Sequence, residues 1–162
     1  MKAWASVLEA SYLCHFLPPF FNNFGKRLVK TPKLYFLDSG VVSALDRQPG
    51  GEAGLVGAMG GALFEGWVVS EAHKLFAAAG RRGDLYFWRS NDGLEVDLII
   101  PVGDRLYPVE IKLTATPTIK HVEPLNRFRA LAGQSAQEGI LVCRVNEPTP
   151  LPGGNRAMPW HH

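Results

Sequence analysis

Cysteine is scarce in this chain: 162 residues hold two, Cys14 and Cys143, far apart. That separation fits neither a metal-ligand nor a redox spacing, so a disulfide scaffold and a thiolate zinc site are excluded as organising features. Two buried free thiols in a reducing compartment are the expectation. Long apolar runs are missing as well, and nothing approaches the roughly 20 residues of a membrane-spanning helix. Lys2 and Glu9 near the start do not follow the layout of a signal peptide. A cytoplasmic protein with no membrane partner is expected. An excess of one charge is absent, with 17 Lys and Arg against 15 Asp and Glu. Nucleic-acid binding would therefore need a local basic patch rather than global attraction. No Gly-x-x-x-x-Gly-Lys-Ser/Thr phosphate loop occurs, so the chain is not itself an ATPase of that type. Internal repeats and low-complexity blocks are also lacking.

What is present is ordinary globular material, 46% hydrophobic and 20% charged residues, enough for one domain or one domain with a helical appendage. Trp4, Val7, Leu8, Tyr12 and His15 follow a helical period, which predicts a helix over 3–17 stopped by Pro18-Pro19. Its broad apolar side suggests packing against something further upstream. Residues 20–27 read as an irregular turn segment. Lys33–Asp38 reads as a short extended piece, with Asp38 or Ser39 capping a brief helix through Leu45. Residues 47–54 are the best linker, giving an N-terminal segment 1–52 and a domain 53–162.

A long helix is expected from about Gly60 to Ala79, closed by Gly80 with Arg81 and Arg82 beyond. Strands follow at 85–89, 94–101 and 105–113, the first two joined through Asn91-Asp92-Gly93. A second helix over 119–132 places Val122, Leu125, Phe128 and Leu131 on one face and ends at Gly133. Gly139–Arg144 reads as a buried strand, and Arg156–Trp160 as an added edge strand. From residue 60 the order is helix, three antiparallel-start strands, helix, strand. That order implies a mixed sheet flanked by helices, an α/β fold behind an N-terminal helical segment.

The chemistry gathers in Glu95-Val96-Asp97 and Glu110-Ile111-Lys112. A short link over Pro101–Asp104 would pair the two strands, setting Asp97 beside Glu110. Residues two apart on a strand share a face, so Glu110 and Lys112 point the same way. Glu65 joins from the long helix, where its neighbours Ala62, Val68, Val69 and Ala72 turn it toward a buried face. Three carboxylates without nearby Cys or His suit Mg²⁺ or Mn²⁺ better than zinc. Lys112 would orient or help deprotonate a water for attack on a phosphate. The plainer alternative pairs Glu65 with an arginine such as Arg89 and leaves Glu110 and Lys112 as a surface ion pair. Elsewhere, Lys26, Arg27, Lys30 and Lys33 form a basic cluster interleaved with Phe24 and Tyr35, and read as a solvated loop or a phosphate contact. Trp88 before Arg89 fits a core position better than a DNA contact. His15, His73 and His121 show no metal spacing.

Helix-borne Glu65, then Glu95-Val96-Asp97, then Glu110-Ile111-Lys112 resembles the signature of the PD-(D/E)XK nuclease superfamily, although Val96 stands where proline is usual. The resemblance implies a restriction-endonuclease-like core whose metal-dependent centre is formed by Glu65, Asp97, Glu110 and Lys112, with Mg²⁺ or Mn²⁺ as cofactor and DNA as substrate. One branch is closer still. Leu8-Glu9-Ala10-Ser11-Tyr12, Leu17-Pro18-Pro19-Phe20, Lys30–Gly40, Phe64-Glu65 and Phe87-Trp88-Arg89 through Lys112 resemble a C-terminal domain of unknown function that follows AAA-type ATPase modules in bacterial and archaeal proteins. In that branch the region before the linker looks like the tail of a winged-helix-like segment. The resemblance implies a piece or remnant of such an ATPase protein. It leaves two activities open: phosphodiester hydrolysis, or a non-catalytic nuclease-fold module that docks DNA or protein for an ATPase partner.

Overall fold

The computed structural model describes residues 2–20, 31–45, 57–81 and 85–161. They belong to two compact units, residues 1–17 with 32–82 and residues 18–31 with 83–162. The expected boundary at 52/53, the linker 47–54, most of the turn segment 20–27, Lys26, Arg27, Lys30 and Arg82 lie outside the described residues. No helix among the described residues is long and apolar enough to cross a membrane.

The first unit contains α1 (Lys2–Ala10), β1 (Cys14–Leu17), β2 (Lys33–Phe36), α2 (Ser39–Leu45) and α3 (Gly60–Ala78). The helix expected over 3–17 stops at Ala10. Tyr12 adopts a left-handed backbone, φ 56°, which no helix accommodates, and the chain re-emerges as a strand carrying His15. Cys14 to Leu17 then pairs antiparallel with Phe36 to Lys33. The apolar side of α1 is open, with Trp4 and Val7 exposed. Asp38 opens α2 as expected, its Oδ1 accepting the Gly40 N–H at 2.7 Å, which satisfies one of the helix's orphan donors. Gly80 takes φ 73° just beyond α3, the conformation that ends a helix most cheaply with glycine.

Helix α3 packs on the β1–β2 hairpin through residues spaced three and four apart. Val69 and Ser70 are buried, and the Ser70 hydroxyl donates to the Leu37 carbonyl at 2.7 Å. His73 continues that stripe and stacks on His15 with ring centroids 3.8 Å apart. Two histidines 58 positions apart are thus joined, a pairing that their scatter along the chain concealed.

The second unit is a six-stranded sheet with one long helix: β3 (Tyr86–Arg89), β4 (Glu95–Val102), β5 (Arg105–Ile111), α4 (Ile119–Ala132), β6 (Gly139–Cys143), β7 (Thr149–Leu151) and β8 (Asn155–Pro159). The strand order is β3-β4-β5-β6-β8-β7. The first three strands are antiparallel neighbours, and β5, β6 and β8 run parallel, so the fold is α/β with a mixed sheet, as expected. Strand β4 runs further than expected: Val102 still pairs with Arg105. The turn is thus only Gly103-Asp104, Gly103 supplying φ 63°. The terminal strand is not at the edge either. β8 lies between β6 and the short β7, because Pro152-Gly153-Gly154 turns the chain back, both glycines having positive φ.

The core of this unit forms where Val122, Leu125 and Phe128 of α4 meet Val96, Ile99, Leu141, Cys143 and Ala157 of the sheet. Leu131, expected on the same face, is partly exposed. Trp88 points inward, edge-on to Phe128 at 5.5 Å between centroids, so it is a core residue. Removing the Phe128 ring would cost about 3–5 kcal/mol. Thr118 caps α4 jointly with His121, whose Nδ1 accepts the Thr118 N–H at 2.9 Å. Cys14 and Cys143 are both buried free thiols, each raised in pKa chiefly by burial.

The His15–His73 stack makes a pH prediction for the first unit. Burial, and secondarily repulsion from His73, lowers the His15 pKa to about 4 from 6.5. The fold favours neutral His15, so its contribution is complete above pH 6.5 and is lost as pH falls toward 4, where the unfolded chain alone has gained the proton. Denaturant titrations at pH 7 and pH 4.5 are expected to differ by on the order of 1–3 kcal/mol. His15→Gln should flatten that difference; an unchanged pH dependence would refute the assignment.

Candidate metal centre

Asp97, Glu110 and Lys112 come together, and the sheet itself explains how. The β4–β5 ladder proceeds through Pro101↔Leu106 and Ile99↔Pro108 to Leu98↔Val109, where the pairing ends. One step further, the Ile111 N–H donates to Asp97 Oδ2 at 2.9 Å instead of to a backbone carbonyl. The carboxylate thus substitutes for a missing ladder acceptor at the place where the strands part. Asp97 and Glu110 are 4% and 2% exposed, too buried to be sustained as free anions.

Lys112 is the counter-charge. Its Nζ lies 2.6 Å from Glu110 Oε1 and 3.3 Å from Asp97 Oδ2. The expected strand over 105–113 ends at Ile111, but the Lys112 N–H still bonds the Val142 carbonyl at 3.0 Å, which fixes the side chain's point of departure. With its side chain 40% exposed, Lys112 is the part of the cluster that reaches solvent. The surface ion pair envisaged as the plainer reading is therefore wrong on one side: Glu110 is an interior group.

Burial, and next the charge of Asp97, raises the Glu110 pKa to about 8 despite Lys112. Lys112 moves up from its ordinary value: burial opposes this, but the Asp97 and Glu110 charges outweigh it. Glu110 Oε2 is buried with no hydrogen-bond partner. An unpaired carboxylate oxygen of this kind either carries a proton or awaits a cation.

Glu95 is a carboxylate that residue spacing quoted but did not assign. One of its oxygens lies within 4.8 Å of an Asp97 oxygen, and it pairs with Arg89, its neighbour across the β3–β4 ladder. Arg89, the example of an arginine partner for Glu65 in the plainer alternative, pairs with Glu95. The signal was available, since Glu95 and Asp97 are two apart on one strand.

Glu65 belongs to the first unit. Its Oε1 accepts from Lys33 Nζ at 2.9 Å and from the Tyr35 hydroxyl at 2.5 Å, in the wall of a cavity of about 390 Å³ that Val42, Leu63 and Trp67 also line. Lys33 is thus an ion-pair partner of Glu65 and not a solvated member of the basic cluster. Tyr35 is held neutral, its pKa raised by burial and by the Glu65 charge.

The donor set of the second unit fits a hard divalent cation. Glu95 and Asp97 bring carboxylate oxygens within 4.8 Å of each other, Glu110 shares Lys112 with Asp97, and oxygen donors of this kind suit such an ion better than they suit zinc.

The family described as "Domain of unknown function (DUF4143)" matches residues 60–162. The chain belongs to the DUF4143 family. Residues 1–51 match a second family, described as "Domain of unknown function (DUF8612)". Uncharacterized proteins of Mycobacterium bovis and Mycobacterium tuberculosis are each 35% identical to the chain over 127 residues, which is 73% of the chain and 26% of either relative. The chain therefore spans about a quarter of the length of these curated relatives. No solved structure matches it. The DUF4143 segment contains Glu65, Asp97, Glu110 and Lys112 together.

The buried pair of acids yields a stability prediction. Ionised Glu110 is disfavoured by the fold, so its neutral isostere should be tolerated or better. In thermal melts of metal-free protein at pH 9, Glu110→Gln is expected to melt at or several degrees above the parent. A large drop would mean that Glu110 is a structural anion.

Proposed function

We propose that this DUF4143 chain carries a Mg²⁺- or Mn²⁺-dependent phosphodiesterase centre acting on DNA, on a restriction-endonuclease-like core. The reading rests above all on Glu110: a buried carboxylate facing Asp97, its Oε1 on Lys112 and its Oε2 without a partner. Asp97 and Glu110 would hold the cation, and Glu95 stands close enough to contribute. Glu65 enters through the sequence pattern alone, as the helix-borne carboxylate of the PD-(D/E)XK signature. A divalent cation there would polarise a phosphate oxygen and lower the pKa of water.

The protein's own groups support a division of labour. Lys112 remains an ammonium beside two acids, so it would orient the attacking water and offset charge developing on the phosphate, and not act as the base. Its partial exposure provides the approach for a phosphate. Asp97 also fixes the end of the β4–β5 ladder, which makes it both a ligand and a support for Ile111 and Lys112. The family's resemblance further suggests an AAA-type ATPase module in the part of longer relatives that this chain does not span, and action in the cytoplasm.

The decisive experiment is a cleavage assay on single- and double-stranded DNA with Mg²⁺, Mn²⁺ or EDTA. Cleavage that needs the cation is expected to fall at least a hundredfold in Asp97→Asn and in Lys112→Ala, in line with the loss of one preorganised electrostatic group. Cleavage unaffected by both substitutions would remove this site from the mechanism. No cleavage, with no calorimetric Mg²⁺ or Mn²⁺ binding, would favour the non-catalytic docking module.

A further inference from the structure

Lys112 is joined by a second cation tied to the acids of the metal centre. Arg89 and Glu95 are the end pair of the β3–β4 ladder, so their side chains leave neighbouring strands on one face. The turn between them is clamped, with the Ser90 N–H and hydroxyl both donating to the Leu94 carbonyl, at 2.8 and 3.1 Å. Glu95 in turn brings an oxygen within 4.8 Å of an Asp97 oxygen. This chain of contacts fixes the Arg89 guanidinium at the edge of the cluster. Among the described residues of this unit, the other arginines with hydrogen-bonded side chains are held elsewhere: Arg129 by the Gly153 and Gly154 carbonyls, Arg156 by Glu138. Only Arg89 has an acid of the centre as its acceptor.

The pair is not built as a fixed structural link. Arg89 Nε and Nη2 converge on a single oxygen, Glu95 Oε2, whereas the strong arginine–carboxylate geometry sets two N–H groups on two oxygens. Nη1 takes no part in it. The Arg89 side chain is 42% exposed against 18% for Glu95, so solvent reaches the cation more than the acid. A half-exposed ion pair adds little to stability, and exchanging it costs the fold little. A phosphate presents the two oxygens that the planar guanidinium fork matches. A divalent cation drawn to Asp97 and Glu95 would also compete with Arg89 for Oε2, releasing the guanidinium beside the bound ion.

We propose that Arg89 grips a backbone phosphate of DNA next to the metal centre, with Glu95 holding the guanidinium ready until the phosphate arrives. This deepens the phosphodiesterase reading and rests on it for placing a phosphate at this cluster. A backbone contact carries no sequence information, so the grip should act alike on unrelated sequences.

The test is fluorescence anisotropy with the full chain and two labelled 20-base-pair duplexes of unrelated sequence, in EDTA so that cleavage cannot intervene. Arg89→Gln should weaken binding to both about tenfold or more, the loss of a charge-assisted hydrogen bond. It should also reduce the slope of log affinity against log salt by about 0.9, the share of one phosphate contact on a duplex. Arg89→Lys should keep the slope and recover part of the affinity. Glu95→Gln should bind at least as tightly as the parent, and Glu95→Gln with Arg89→Gln as weakly as Arg89→Gln alone. Recovery of parental affinity in that double variant would mean that Arg89 merely neutralises Glu95, and would overturn the proposal. So would unchanged affinity and slope in Arg89→Gln, or no binding by the parent. If these effects appear while cleavage is absent, the grip stands and the hydrolytic reading falls.

Discussion

A single ammonium group shared between two interior carboxylates sets the terms for the second unit. Lys112 reaches Glu110 at 2.6 Å and Asp97 at 3.3 Å, and neither acid has solvent to fall back on. Removing the lysine would leave two like charges buried together, the costliest of the simple changes available here. The surrounding sheet is arranged to keep the three groups in register. The parallel β5–β6 ladder holds the backbone of Lys112, and the end of the β4–β5 ladder turns Asp97 inward. The first support is backbone alone, whereas the second runs through the Asp97 carboxylate itself.

The first unit solves a different problem with comparable means. Helix α3 is pinned to the β1–β2 hairpin by a hydroxyl bond from Ser70, by stacked imidazoles, and by the contact of Lys33 and Tyr35 with Glu65. Each contact joins residues at least 30 positions apart, so long-range contacts hold the helix on the strand pair. Glu65 is consequently positioned by side chains from outside its own helix. A metal-binding role would require it to exchange or share those partners, and this marks Lys33 and Tyr35 as groups that tune it.

Periodicity was sufficient to place α3, α4 and the strands from β3 to β6, because each carries an apolar pattern with glycine or a turn at one end or both. It failed at the start of the chain for a local reason. Trp4, Val7 and Leu8 do follow a helix, but the left-handed backbone at Tyr12 leaves no compositional mark, and Cys14–Leu17 is too short for its alternation to register. It failed at the end because β7 has three residues and because a strand's place in a sheet depends on partners that spacing does not reveal. Of the site, Asp97, Glu110 and Lys112 were legible from alternation plus one hairpin. The Glu95–Arg89 pairing was not, since it depends on which residues of β3 and β4 face each other across the turn.

The depth of Asp97 and Glu110 bears on what the site is for. A buried ion cluster is generally no more stabilising than well-packed apolar side chains of similar volume, and the neighbouring core already supplies Val96, Ile99 and Leu141. If compactness were the only demand, two acids and a lysine would be a poor choice for this position. Glu110 sharpens the point, because one of its oxygens has no partner at all. That is a defect in a folding element and a requirement in a ligand. On the proposed reading, a cation entering there would offset the charge of the acids and give the orphaned oxygen a partner.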